Sequence, residues 1–232
     1  MYTNKEESIN RQPYKEIYNV QAVIDNLTED LERLENGTFK FQCKDETRSA
    51  HMLNYLNAER KMFDAMDIFN HHEISKFWSN IKNPDGSSNA NYGYMTFGIP
   101  DTRKEWDLAS EKMNQFEYCF NILKERPNSK QGIIHFHRPK DQWIGNLDVP
   151  CNLSLHFYVK KNKYLCLAAY LRSNDLIYGT PYNVLYFLTI YSKMFKRLKA
   201  EIPDLEIGDY THSVTSMRIY LYHEKIYNQI VF

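Results

Sequence analysis

Between Asp148 and Asn183 the chain gathers groups that can do chemistry together. Pro150-Cys151 opens an apolar run, Arg172-Ser173-Asn174-Asp175 closes a second, Gly179-Thr180-Pro181 makes a turn, and Asn183 stands where a helix begins. A thiolate is a soft nucleophile that adds to electron-poor ring carbons. A guanidinium grips phosphate oxygens two at a time and favours a thiolate placed near it. A carboxylate accepts hydrogen bonds, and a carboxamide offers a donor and an acceptor side by side. On adjacent backbone these groups predict a pocket for a polar, anionic, planar ligand. Each also has an ordinary reading. Alone, Cys151 is a buried strand cysteine, Arg172 a surface ion-pair partner, Asp175 a turn or cap aspartate and Asn183 a helix cap. The proline before Cys151 and the Arg-Ser-Asn-Asp run after it favour the chemical reading.

The elements that must position these groups follow from periodicity. Two apolar runs, the first opened by Cys151 and the second ending in Arg172-Ser173-Asn174-Asp175, flank the polar turn Lys160-Lys161-Asn162-Lys163, which predicts a β-hairpin or two neighbouring strands. Pro181–Lys199 reads as a buried helix, and Glu206–His212 and Ser216–Tyr222 as two closing strands. Upstream, Met1–Tyr18 reads as a loose arm. Val20–Glu35 reads as a helix with Val20, Val23, Ile24, Leu27, Leu31 and Leu34 on one face and a stop at Gly37. Phe39-Lys40-Phe41 suggests a short strand, Met52–Met66 and Glu73–Ile81 helices, Asn83–Asn91 a turn and loop, Glu105–Arg126 a long helix, and Gly132–His137 a strand. No repeat or linker divides the chain, so the expectation is one α+β domain over 1–232, a mixed β-sheet with packed helices.

Composition narrows the partners. With 29 Lys+Arg against 29 Asp+Glu the net charge is zero, and no polybasic run suits a nucleic-acid backbone. No apolar run is long enough to span a bilayer, and the first residues are too polar for a secretory leader. A cytoplasmic protein, or one of the host cytoplasm if the chain is viral, is expected. Cys43, Cys119, Cys151 and Cys166 have no metal-ligand spacing, so reduced thiols and no metal are expected, with Cys119 and Cys166 inert in the core. His135 and His137 alternate without a third ligand in view and read as ordinary histidines.

Pro150-Cys151, Arg172-Ser173-Asn174-Asp175, Gly179 and Asn183, with Asn91-Tyr92-Gly93 and Ile133–Pro139 before them and Tyr220 after, resemble the thymidylate synthase and deoxypyrimidine-nucleotide hydroxymethylase family in order and spacing. The resemblance covers about two thirds of the chain. It implies a homodimer with sheets stacked back to back. It also implies transfer of a one-carbon unit from 5,10-methylenetetrahydrofolate to ring carbon 5 of a pyrimidine nucleotide. Cys151 would attack ring carbon 6. Arg172 and Ser173 would hold the phosphate, Tyr220 the sugar hydroxyl, and Asn183 the ring edge. Asp175, Gly179 and Trp78 would lie on the folate side, and Tyr92 would assist proton removal from carbon 5. Glu59 is the candidate for the catalytic glutamate, with His51 as a rival register. Asparagine at 183 suits uracil, where an aspartate would suit cytosine, which points to dUMP.

Four departures from the family pattern bear on the substrate's sugar-phosphate and on the product. Arg218 stands where a histidine is usual. Lys130-Gln131 replaces a pair of arginines that reach across the dimer, so one cation is kept and one lost, with Arg218 a possible substitute. Asn152 follows the nucleophile in place of histidine, and only nine residues follow His223. A short tail would leave the site open to water, so the expectation leans to dUMP hydroxymethylation. A thymidylate synthase with a shortened tail is the alternative, and a non-catalytic nucleotide-binding homologue is the reading from another class.

Overall fold

The computed structural model describes residues 2–4, 13–39, 50, 53–54, 57, 89–98 and 113–223. The strands are β1 (Tyr2–Asn4), β2 (Tyr14–Ile24), β3 (Ile133–His135), β4 (Asn152–Lys160), β5 (Tyr164–Asp175) and β6 (Glu206–Tyr220). The helices are α1 (Thr28–Glu35), α2 (Tyr92–Phe97), α3 (Gln115–Glu125) and α4 (Gly179–Glu201).

The hairpin forms because Leu155, Phe157 and Val159 on β4 and Leu165, Leu167, Ala169 and Leu171 on β5 turn to one side and are buried. Lys161 and Asn162 both take positive φ, 54° and 58°, in the three-residue connection, where the Lys163 amide donates to the Lys160 carbonyl at 3.2 Å. The described strands make a six-stranded sheet in the order β1-β2-β6-β5-β4-β3. All neighbours are antiparallel except β5 and β6, which are parallel and joined through α4. Phe187, Ile190, Tyr191, Met194 and Leu198 of α4 pack on the sheet with Cys119 and Leu123 of α3 and Leu31 and Leu34 of α1. Burial of this apolar surface is the main stabilising term. The Tyr191 hydroxyl ties the layers together, donating to the Leu165 carbonyl at 2.6 Å and accepting from the Gly208 amide at 3.0 Å.

The pairing has one aligned interruption. The β2–β6 ladder passes over Asn19 and Thr215, and the β5–β6 ladder passes over Arg172 and Thr215. Asn19 has φ 54°, and the β4–β5 register shifts at the same level, between Asn152 and Ser154. Neither the β2–β6 nor the β5–β6 register changes there, whereas the irregularity between Asn152 and Ser154 is a shift of the kind that bends a strand and re-aims side chains beside a site. Here the break runs past Arg172 and the start of β4.

Several sequence expectations are corrected. Residues 14–18 are strand, not a loose arm, and the segment read as a helix from Val20 is strand to Ile24, with α1 starting only at Thr28. The spacing of Val20, Val23, Ile24 and Leu27 mimics a helix face, but Val23 is 61% exposed and pairing with β6 decides the outcome. The stop at Gly37 (φ +73°) agrees with its reading. Asn91 caps a short helix instead of ending a loop. Helix α3 begins at Gln115 because the Asn114 side chain caps it, accepting from the Glu117 amide at 2.8 Å; Met113 lies outside it. Strand β3 covers three residues of the six expected. The two closing strands are one, β6. Phe39 is not in a strand. Most of the helix read at 52–66, all of that at 73–81, and Cys43, His51, Glu59 and Trp78 lie outside the described residues.

Candidate active site

Cys151 sits one residue before β4 and is half-buried. Its carbonyl accepts from the Arg172 amide at 3.0 Å, which closes the mouth of the hairpin. The Ser173 hydroxyl donates toward the Cys151 Sγ at 3.5 Å. Arg172 Nε donates to the Pro150 carbonyl at 3.1 Å and Nη2 to that of Val149 at 2.7 Å, while Nη1 reaches Ser173 Oγ at 3.3 Å. The guanidinium thus splints the loop that carries the thiol. It remains exposed, with outward N–H groups available to an anion.

A second loop brings Tyr92 to the same backbone. The Asp148 carboxylate accepts from the amides of Asn89 (2.6 Å) and Ala90 (3.0 Å), and Asn146 Oδ1 accepts from Asn89 Nδ2 at 2.9 Å. A buried Arg138–Asp141 pair, 2.6 Å between Nε and Oδ2, adds a bond from Arg138 Nη2 to the Asn89 carbonyl. Burial raises the Asp148 carboxyl's pKa, and the two amides partly offset it. These contacts place α2 so that the Tyr92 ring meets Phe136 edge-on at 5.0 Å. Burial, and then the neighbouring Cys151 thiol, raise the Tyr92 pKa, while the Asn152 and Cys151 backbones act the other way. Tyr92 therefore enters any reaction as a neutral O–H. Asn152 is 1% exposed, and neither end of its carboxamide has a hydrogen-bond partner among the described residues. A buried polar group in that state calls for a water or a ligand.

The carboxamide side is built from β5, β6 and the start of α4. Asn183 lies in the second turn of α4 and is not its cap; its Nδ2 donates to Asn174 Oδ1 at 3.2 Å. Asn174 Nδ2 reaches Thr180 Oγ1 and His212 Nε2, both at 3.1 Å, and His212 Nδ1 lies 2.6 Å from the Tyr210 hydroxyl. Burial lowers the His212 pKa to about 4, so the ring is neutral at pH 7. Gly179 makes room for this chain, because a Cβ there would lie 2.4 Å from Asn174 Oδ1.

Asp175 accepts from the amides of Ile177 (3.1 Å) and Tyr178 (3.0 Å), which orders the turn into α4. Burial raises its pKa against those amides, and its side chain keeps 18% exposure through which a ligand can reach it. Tyr220 packs edge-on to Tyr14 and stacks on Tyr222 at 5.6 Å. Arg218 is paired with the buried Glu16 at 3.1 Å and lies over the Tyr14 ring, so its charge is already answered within the protein. The Glu16 carboxyl is pushed up by burial and pulled below its usual range by hydrogen bonds from Ser216, Tyr18 and Arg218. Lys130 lies over the Tyr158 ring, seven residues along β4 from Cys151, a run of about 20 Å. Within one protomer it is not brought to Arg172. Sequence reasoning gave no role to Asn174, Asp148 or His212. Asn174 lay in plain view inside the Arg172–Asp175 run; nothing local marks His212.

Fold and site together define an α+β protein that sets a thiol at the mouth of a hairpin and a carboxamide on the helix that follows. The family model described as thymidylate synthase matches residues 46–231, and the chain belongs to that family. A thymidylate synthase of Bacillus mojavensis is 30% identical over 146 residues, which cover 63% of this chain and 48% of that one. The thymidylate synthase of Bacillus phage phi3T matches with the same identity and coverage. The chain spans about half the length of these curated relatives. The solved structure of a thermostable thymidylate synthase A from Bacillus subtilis superposes with a TM-score of 0.63 at 20% identity, over 95% of this chain and 71% of that one, which is the same fold.

Proposed function

We propose that the chain transfers a one-carbon unit from methylenetetrahydrofolate to ring carbon 5 of a uracil nucleotide, with dUMP the substrate that fits best. The observation that carries this reading is the meeting of the half-buried Cys151 thiol, the Ser173 hydroxyl and the neutral Tyr92 hydroxyl at one turn of backbone. The Cys151 thiolate adds to carbon 6, and the electron pair displaced toward carbon 5 and the ring oxygen makes carbon 5 a nucleophile. Carbon 5 bonds to the one-carbon unit supplied by the folate. Its proton then leaves toward solvent through the Tyr92 hydroxyl as the bond from the one-carbon unit to the folate nitrogen breaks, which leaves a methylene on carbon 5; a hydride or water adds to that methylene, and the carbon–sulfur bond breaks to return the thiolate. Arg172 and Ser173 take the phosphate, Tyr220 the sugar, Asn183 the base edge, and Asp175 with Gly179 the folate side. Glu59 or His51, with Trp78, completes the set by resemblance. A second copy of the chain supplies Lys130 to the phosphate. Exposed Val23 and Tyr170 on the sheet suit the face where the two copies would stack.

Two products are possible from the same adduct. A methyl product takes a hydride from the folate and leaves dihydrofolate; a hydroxymethyl product takes water and leaves tetrahydrofolate. The unpartnered carboxamide of Asn152 beside the nucleophile favours the second, because it can hold the attacking water. The test is release of tritium from carbon 5 of labelled dUMP with methylenetetrahydrofolate, followed by mass spectrometry of the products from dUMP, dCMP, UMP and CMP. Tight nucleotide binding without label release would make the chain a binding homologue instead.

A further inference from the structure

Asn183 can present its carboxamide in two orientations, and its neighbours decide between them. The decision starts at Thr180. Its one hydroxyl hydrogen goes to the Asp175 carbonyl at 3.1 Å, with the Met217 sulfur at 3.6 Å as the competing acceptor. Either way the Thr180 oxygen can only accept from Asn174, so the Asn174 atom facing it is the nitrogen. The second hydrogen of that nitrogen faces His212 Nε2. The histidine therefore accepts there and carries its proton on Nδ1, toward Tyr210. With its nitrogen held on two sides, Asn174 turns its oxygen to Asn183 and takes a bond from Asn183 Nδ2. The Asn183 oxygen has no partner among the described residues. Asn174 is 7% and His212 3% exposed, so solvent cannot easily replace either.

We propose that Asn174, backed by Thr180 and His212, is a specificity-determining positioning residue that locks the Asn183 carboxamide with its oxygen free for a ring N–H, so that the site selects uracil over cytosine. The proposal rests on the reading that a pyrimidine docks on Asn183. Uracil shows an N–H at position 3 and an oxygen at position 4; cytosine shows a lone pair and an amine, the reverse order. A carboxamide free to turn over serves both rings, whereas a locked one serves one. A mismatched pair buried in the site corresponds to a preference of about 5- to 150-fold.

The test is calorimetric binding of dUMP and dCMP to the intact protein and to two variants. Asn174→Ala removes the acceptor, and the dUMP preference falls about tenfold or more as dCMP gains a usable orientation. Asn174→Asp keeps an oxygen toward Asn183, and the preference stays within about threefold of the parent. An unchanged preference in Asn174→Ala, or equal loss in both variants, overturns the proposal. Nitrogen-15 NMR of the ligand-free protein decides the relay separately. His212 is expected neutral with its proton on Nδ1 at pH 7, and the Asn183 side-chain amide signal moves in Asn174→Ala. A proton on Nε2 overturns the relay whatever the nucleotides do. Failure of the parent to bind either nucleotide, with the NMR result as expected, would instead remove the reading of the substrate.

Discussion

The guanidinium that splints the Cys151 loop is exposed and charged, and holds two backbone carbonyls at 2.7 and 3.1 Å. The chain behind Asn183, through Asn174 and His212 to Tyr210, is buried and neutral. The first arrangement leaves a cation at the surface that a ligand's phosphate can also use, at the cost of sensitivity to salt. The second has no charge to screen, so its geometry is fixed by donor and acceptor count alone. On the proposed function, the nucleophile is set by electrostatics and the base edge by hydrogen-bond logic, and the two should respond to different perturbations.

Cys151→Ala should reduce tritium release from labelled dUMP to background while circular dichroism shows the fold retained; residual turnover would take the nucleophile away from this side of the comparison. Next comes acid. The His212 pKa is about 4 when folded against an ordinary 6.5, so the unfolded chain takes up the proton first as pH falls. The stability held above pH 6.5 is lost progressively toward pH 4, up to roughly 3 kcal/mol. Asp148 and Asp175, with raised values, act in the opposite sense, so the measurement is a difference: urea denaturation of parent and His212→Phe at pH 7, 5 and 4. The parent should lose more stability than the variant across that window, and parallel curves would show that the ring is not held neutral.

Arg172→Ala should weaken dUMP binding by about 1.5–3 kcal/mol, the range for hydrogen bonds to a charged group. Deoxyuridine, which lacks the phosphate, should be far less affected. Arg172→Lys should recover little, because an ammonium cannot hold two carbonyls and a phosphate in one plane. Asn183→Asp should shift preference toward cytosine by about 1–3 kcal/mol, read as the ratio of dCMP to dUMP binding. An unchanged ratio there would place base selection elsewhere and sharpen the role of Asn152.

What could be read from the chain was what is local. The hairpin, its turn, Cys151, the Arg172–Asp175 run and helix α4 are each contiguous, and alternation or turn chemistry marks them. Strand β2 was hidden because spacings of three and four run through Val20, Val23, Ile24 and Leu27 across a real boundary, the turn at Asn26 with φ 56°. Strand β6 was expected as two strands with Ser213, Val214 and Thr215 between them. Ser213 instead accepts from Gln21 at 3.3 Å, and Ser216 bonds the buried Glu16. The pairing of Asn174 with His212 joins residues 38 apart in sequence, brought together only by the parallel alignment of β5 and β6. No periodicity encodes such a contact.

An unbroken strand sends its side chains alternately to two sides, so residues 172 and 174 would share a direction and 173 would oppose them. Arg172 keeps the outward direction of Tyr170, with Leu171 buried between them, and its amide pairs with the Cys151 carbonyl. Arg172 turns outward over the loop carbonyls, Ser173 toward the thiol, and Asn174 toward the helix. On the proposed function, three consecutive residues at one strand end face phosphate, sulfur and base.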